Sequence, residues 1–361
     1  MLSDAEVAAI RDGFPWLSQR VYLDTGATGL PVPGAGAAAA RVYDRLMAQG
    51  YDGGDHWRAL GPKVAGRLAT RTGTAASGIV FAQSSADALI RVLSSLPMRA
   101  GDRVVMAADE FPTFLEIGRQ WQARGADLVL VPIGDEGERT ERLAAAVTPG
   151  TRWLGVSHVG WATGTRVDLG VLGAACRASG ARLIVDGVHG LGATPVDAAP
   201  ADAYVMSFFK WMLAGFGLGA AIVAPGLAAE LQPAQRGYFN PAPSQSLHHS
   251  HLNYTGLAVL DHALDYMDGL GPDRLLQRVA ALQGTLAQRL HDDGHSVLTP
   301  PGQAAGLTCL AHPDPETAAR ALAAQGISVS PRGRALRIST HFYNSNGDLD
   351  RLVQALAQMK D

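Results

Sequence analysis

The stretch Leu183–Val223, LIVDGVHGLGATPVDAAPADAYVMSFFKWMLAGFGLGAAIV, constrains this chain more than any other part of it. The apolar run Leu183-Ile184-Val185 stops abruptly at Asp186. A parallel strand buried on both faces reads this way, its first polar residue emerging at the carboxyl end. Open α/β sheets place their ligand sites at that end. His189 follows three residues on, and a second short strand, Ala203–Met206, delivers Ser207 and Lys210.

Lys210 is set among Phe208, Phe209, Trp211 and Met212. An apolar setting disfavours the ammonium form and makes a lysine a usable amine nucleophile. An isolated aspartate after a strand is usually a cap, and an isolated lysine usually a solvated charge. The pair, one strand apart, is what a pyridoxal phosphate (PLP) site needs. The lysine forms the Schiff base and the acid pairs with the pyridine nitrogen.

The 361 residues, 47% of them hydrophobic, suffice for a large buried core, with one large and one small domain as the expectation. A formal net charge of −3 without a basic run points away from nucleic acid and anionic membrane surfaces. Two cysteines, Cys176 and Cys309, make no disulfide framework, so a cytoplasmic, reducing location is expected. The N-terminus MLSDAEVAAIRDGF reads as a charged helix capped by Ser3 rather than a signal peptide. No apolar run reaches membrane-spanning length.

Along the chain, Val21–Asp24 reads as a strand entering the glycine-rich loop Thr25–Gly29, and residues 34–49 and 57–72 as helices. Tyr51–Trp57 reads as a loop. After the strand Ile79–Phe81, Ser84-Ser85-Ala86 opens a helix to about Leu96. Helix N-termini present free N–H groups and bind phosphate, and the serines add hydroxyls. The plainer alternative is a serine cap. Strands follow at 103–106, 128–131 and 153–156, with a helix over 137–147. His248, His249 and His251 raise a metal site, but no acidic or cysteine partner stands at ligand spacing, so none is expected. Helices run from Tyr254 to about Met267 and from Pro272 to His291, and a βαβ-like tail ends in LRIS, where Arg337 lies between Leu336 and Ile338. An arginine inside an apolar strand calls for a partner.

The patterns D-x-x-H, S-x-x-K-W and G-x-G-x-G, then LRIS-x-x-x-YN-x-x-x-D-x-D-R, resemble the class V aminotransferase-fold PLP enzymes over most of the chain. Cysteine desulfurases, kynureninases, isopenicillin N epimerase-like proteins and C–S lyases share this fold. The resemblance implies fold type I. A large domain (20–235) would hold a central, mainly parallel seven-stranded sheet. A small α/β domain would combine 1–19 with 236–361. A homodimer is implied as well.

By the same resemblance, Lys210, Asp186 and His189 are catalytic. Ser84, Ser85, Ala86 and Ser207 hold the phosphate, with Ala86 standing where many relatives have Thr. Phe111 stacks on the cofactor ring, within an EFPT segment similar to kynureninase. That similarity stops at Phe114, where kynureninases carry Asp. His251, or Ser250, stands in for the threonine that reaches the partner subunit's phosphate. Arg337 grips the substrate α-carboxylate, which its planar guanidinium can do bidentately. Thr28 lies in the segment that lines the substrate side. Trp161, in S-H-V-G-W, replaces the asparagine of desulfurases and resembles the epimerase-like branch. It either shapes the pocket or belongs to the core. Phe209 stands where relatives have His or Tyr.

The expected chemistry is a Lys210 Schiff base and a Cα carbanion on an amino-acid substrate, leading to cleavage at Cβ (C–S or C–C). An aminotransferase or an epimerase on a bulkier amino acid is the alternative. A non-catalytic PLP-binding protein is a reading of another class. Cysteine desulfurase activity is not expected. Val329–Arg334 carries no cysteine before LRIS, and Cys309 lies in an apolar strand.

Overall fold

The structure is a computed structural model that describes residues 1–302 and 305–359. Residues 303, 304, 360 and 361 of the expected C-terminal domain lie outside the described residues. The strands are β1 (Val21–Tyr22), β2 (Ile79–Ala82), β3 (Arg103–Ala107), β4 (Asp127–Val131), β5 (Thr151–Ser157) and β6 (Arg182–Asp186). They continue with β7 (Ala203–Ser207), β8 (Gly219–Val223), β9 (Leu307–Ala311), β10 (Ile327–Ser328), β11 (Ser330–Arg332) and β12 (Ala335–Ser339).

The central sheet has seven strands in the order β2-β8-β7-β6-β5-β3-β4, parallel except where β8 pairs with β2 and β7. Its residues alternate between two cores. Leu183, Val185, Tyr204 and Met206 face one, and Ile184, Ala203 and Val205 face the other. Both faces are therefore dry, which is why these strands read as unbroken apolar runs. Each buried Val, Leu or Ile contributes roughly 1.5–3 kcal/mol. Connecting helices cover the faces, among them Ser85–Ser95, Leu169–Ser179 and Tyr254–Leu270.

A second sheet, β11-β12-β9, is antiparallel and packs a third apolar cluster around Leu310, Leu336 and Ile338. β1 pairs with β10, so Val21 and Tyr22 join the C-terminal part of the chain. The N-terminal helix Asp4–Asp12 has the expected Ser3 capping box, and its Arg11 bonds the buried carboxylate of Asp348 at 2.7 Å.

The Tyr51–Trp57 segment is not a loop. It forms a 3₁₀ turn at Gly50–Gly54 and a short helix at Asp55–Arg58, ahead of the helix Leu60–Thr72. Packing against neighbouring helices orders residues whose local composition reads as irregular.

The carboxyl ends of β3, β5, β6 and β7 lie side by side, and the loop after Asp24 is tied to them. The Gly29 N–H donates to the Phe209 carbonyl at 2.8 Å. A Cβ at Gly29 would lie 2.0 Å from the Lys210 carbonyl oxygen. Gly29→Ala is therefore expected to cost about 1–3 kcal/mol of stability through overpacking. Urea unfolding of both proteins measures this, and an unchanged midpoint would contradict the contact.

Candidate active site

Asp186 ends β6 and is buried. One carboxylate oxygen accepts the Val188 N–H at 3.0 Å, and the other takes no hydrogen bond among the described residues. Burial pushes its carboxyl up to about 6, against the Val188 bond and the charge of Lys210. The Lys210 Nζ lies 3.3 Å from His189 Nε2. Burial, reinforced by the charge of Arg337, lowers the lysine to about 8.

The His189 ring orientation fixes the character of that contact. Trp211 Nε1, which can only donate, bonds His189 Nδ1 at 3.1 Å. Burial holds His189 well below its usual range, so the ring is neutral and its one proton sits on Nε2. Nε2–H then faces Lys210 and needs a lone pair there, which only the neutral amine offers. Ring tautomer and lysine protonation state agree above about pH 8, where the amine is neutral.

Arg337 lies in the middle of β12 and is 2% exposed. Its Nη1 donates to the Trp161 carbonyl at 3.1 Å, and its Nη2 is 3.9 Å from Asp24. Among the described residues, its buried Nε and Nη2 have no hydrogen-bond partner. Burial, then the nearby charge of Arg332, lowers it to about 10. A buried guanidinium with two open donors is built to receive an oxyanion.

The remaining candidates fall into place unevenly. Ser207 ends β7, and its Oγ accepts the Ser85 N–H at 2.6 Å. Ser84 is the cap of the helix Ser85–Ser95, accepting from the Asp87 N–H at 3.2 Å, as the plainer alternative had it. Capping does not remove the helix N-terminus from the site. A Cβ at Gly219 would lie 2.5 Å from the Ser84 carbonyl carbon, so only glycine lets β8 approach. Ala86 is half-buried beside it. Phe111 lies edge-on to Trp161, with centroids 5.8 Å apart. Trp161 is half-buried, so the core alternative fails; its indole N–H donates to the Asp109 carbonyl at 3.0 Å. The Thr28 carbonyl accepts the Tyr22 hydroxyl at 2.5 Å. His251 is exposed, among Tyr238, Phe239 and Tyr254, and none of its ring contacts reaches the Lys210 cluster within one chain. His248 is spent on the Phe81 N–H, at 2.9 Å.

Three supporting residues, Glu110, Tyr204 and His341, escaped sequence reasoning. The buried Glu110 accepts from the Ser157 N–H (3.0 Å), the Ser157 hydroxyl (2.6 Å) and the Phe111 N–H (3.2 Å), which fixes the turn carrying Phe111. The Tyr204 hydroxyl meets His158 Nδ1 at 3.0 Å beneath the Asp186–His189 turn. A Cβ at Gly187 or Gly190 would strike that hydroxyl. His341 Nε2 donates to the Trp211 carbonyl at 3.0 Å and its ring stacks on the indole. No periodicity signals a buried polar residue whose partner is far off in sequence.

The sequence profile of the family described as Aminotransferase class-V matches residues 21–352. This chain belongs to that family. Isopenicillin N epimerase from Amycolatopsis lactamdurans is 29% identical, over 94% of this chain and 97% of its own length. An apo cysteine desulfurase from Thermococcus onnurineus NA1 superposes with a TM-score of 0.90 at 18% identity, covering 99% of this chain and 98% of that one. A cystine C–S lyase solved with its reaction product, cysteine persulfide, gives 0.87 at 22% identity, covering 95% and 99%. The fold is that of fold type I PLP enzymes, and the cofactor of this class V chain is PLP. The residues fit it. A half-buried amine of lowered pKa, a buried carboxylate and a helix N-terminus converge at one end of the sheet.

In the cofactor-free protein, Lys210 should react with an amine-selective acylating reagent along a titration centred near pH 8. Above that pH the neutral amine predominates. Peptide mass spectrometry across pH measures it, and a midpoint near the ordinary 10.5 would contradict the buried environment.

Proposed function

We propose that this class V protein catalyses a PLP-dependent reaction of an amino acid, with proton transfer at Cα followed by cleavage at Cβ, C–S or C–C. PLP supplies an electron sink for the charge left at Cα. The observation that carries the reading is the Lys210 amine, lowered to about 8 and 3.3 Å from His189 Nε2, within reach of the charges of Asp186 and of Arg337, whose Nε and Nη2 are open donors among the described residues.

In this reading Lys210 is the covalent anchor and, once displaced by substrate, the base and acid that moves the proton at Cα. Asp186 keeps a proton on the pyridine nitrogen. His189, held by Trp211, orients the lysine amine. Arg337 takes the α-carboxylate. Phe111 covers one face of the ring. Ser84, Ser85, Ala86 and Ser207 receive the phosphate, and His251 reaches it from a second subunit of a homodimer. Thr28 and Trp161 line the substrate side.

Cysteine desulfurase activity is not part of the proposal, although solved relatives of the fold carry that name. Both cysteines are buried, and burial lifts the Cys309 thiol to about 12, which denies it the thiolate form that attacks. The β11–β12 hairpin leaves no loop for a mobile thiol. Epimerisation is the second reading, favoured by similarity to isopenicillin N epimerase along nearly the whole chain. The domain division at residues 20–235 stands as a proposal too. The seven-stranded sheet lies within it and the three-stranded sheet outside, whereas β1, at its N-terminal edge, pairs with β10 and packs with the smaller part. Two free buried cysteines suit a cytoplasmic setting, and among the described residues no helix is long and apolar enough to cross a membrane.

An amino-acid panel in deuterated water tests the proposal. Solvent deuterium should enter at Cα. Keto acid released without an amino acceptor supports the lyase, and inversion without release supports the epimerase. Strict acceptor dependence means transamination, and bound PLP with no exchange at Cα sinks the catalytic reading. Lys210→Ala should lose about 10²–10⁴-fold in exchange rate. Arg337→Ala should lose about 10–100-fold in kcat/KM, the worth of a charged hydrogen bond. Cys309→Ser should keep its turnover.

A further inference from the structure

The β11–β12 hairpin carries a second arginine whose position has no structural use. In its antiparallel register, Ser330 lies opposite Arg337 and Arg332 opposite Ala335. Opposed residues share a face, as do residues two apart on one strand. Ser330, Arg332 and Arg337 therefore point the same way, with the two arginines as diagonal neighbours.

That face is the one turned to the site. The Ser330 hydroxyl bonds both carboxylate oxygens of Asp24 at 2.7 Å, and Asp24 is the carboxylate nearest Arg337. The charge of Arg332 reaches Lys210, His189 and Arg337, lowering each. Among the described residues Arg332 forms no ion pair. Its Nη1 donates only to the carbonyl of the adjacent Pro331, at 2.7 Å. Asp24 is a poor counter-charge for two guanidinium groups, because it is occupied by Ser330 and burial raises its carboxyl. Like charges on one hairpin face repel unless an anion lies between or beside them.

We propose that Arg332 is a second anion-binding residue of this site, and that the substrate is an amino acid whose side chain ends in a carboxylate. This rests on the proposed function in one respect, that Arg337 holds the α-carboxylate. Arg332 then receives the distal carboxylate through the donors not spent on Pro331, and its reach sets the length of side chain accepted. Arg334, exposed and one residue past Gly333 at the hairpin turn, lies outside the arrangement.

Titration calorimetry on the PLP-loaded protein tests this with unreactive probes. Glutarate and adipate are compared with pentanoate and hexanoate. The diacid should bind about tenfold or more tightly than the monoacid of equal length, the worth of one charge-assisted hydrogen bond. Arg332→Gln should collapse that ratio to about two or less, and Arg332→Lys should keep a preference by keeping the charge. Equal affinities in the natural protein, or a ratio that survives Arg332→Gln, would overturn the proposal. Deuterium exchange at Cα of norvaline, whose side chain is uncharged, separates the two ideas. Exchange without any diacid preference defeats only the role of Arg332, and absence of exchange with every amino acid defeats the function beneath it.

Discussion

A half-buried amine whose charge is disfavoured by desolvation and by a nearby guanidinium is the constraint on which this structure turns. The fall of Lys210 from 10.5 to about 8 corresponds to roughly 3 kcal/mol favouring the neutral form. That bias exists because the site sits where the ends of buried parallel strands meet, with both sheet faces already sealed by apolar side chains. Solvation of an ammonium ion there is reduced by the same packing that builds the fold. Stability and chemistry share one cause.

Much of the surrounding polar structure serves to hold that arrangement in register. Trp211 fixes the His189 tautomer, and His341 in turn holds the Trp211 backbone. Burial keeps His341 near 4, so it acts as a neutral donor at any ordinary pH. Glu110 ties the end of β5 to the turn bearing Phe111, while Tyr204 and His158 underlie the turn from Asp186 to His189. Each is a buried polar group with its hydrogen bond made, so each rigidifies rather than destabilises. Arg337 differs from these groups. Its open donors are a cost that binding an anion removes.

The parts legible in the sequence were those whose local pattern conflicted with burial. Asp186 closing an apolar run, Lys210 among aromatics and Arg337 between Leu336 and Ile338 each broke a rule that core strands obey. The parallel sheet showed itself through its unbroken apolar runs. What stayed hidden depended on contacts between distant segments. Neither Glu110 nor Arg332 carried a local pattern that singled it out. The Tyr51–Trp57 segment read as a loop because its glycines and aspartates favour turns locally, while tertiary packing shaped it into helix. His251 took its expected role from resemblance, and within a single chain it packs against tyrosines instead.

The chain has only three lysines, Lys63, Lys210 and Lys360, so the central claim reduces to a question of which one holds the cofactor. Lys63 is half-exposed and paired with Asp261 at 2.6 Å. Borohydride reduction of the PLP-loaded protein, followed by peptide mapping, answers it directly. The account predicts one phosphopyridoxyl mass per chain, on the peptide containing Lys210. A label on Lys63 or Lys360, or no label at all, would contradict it.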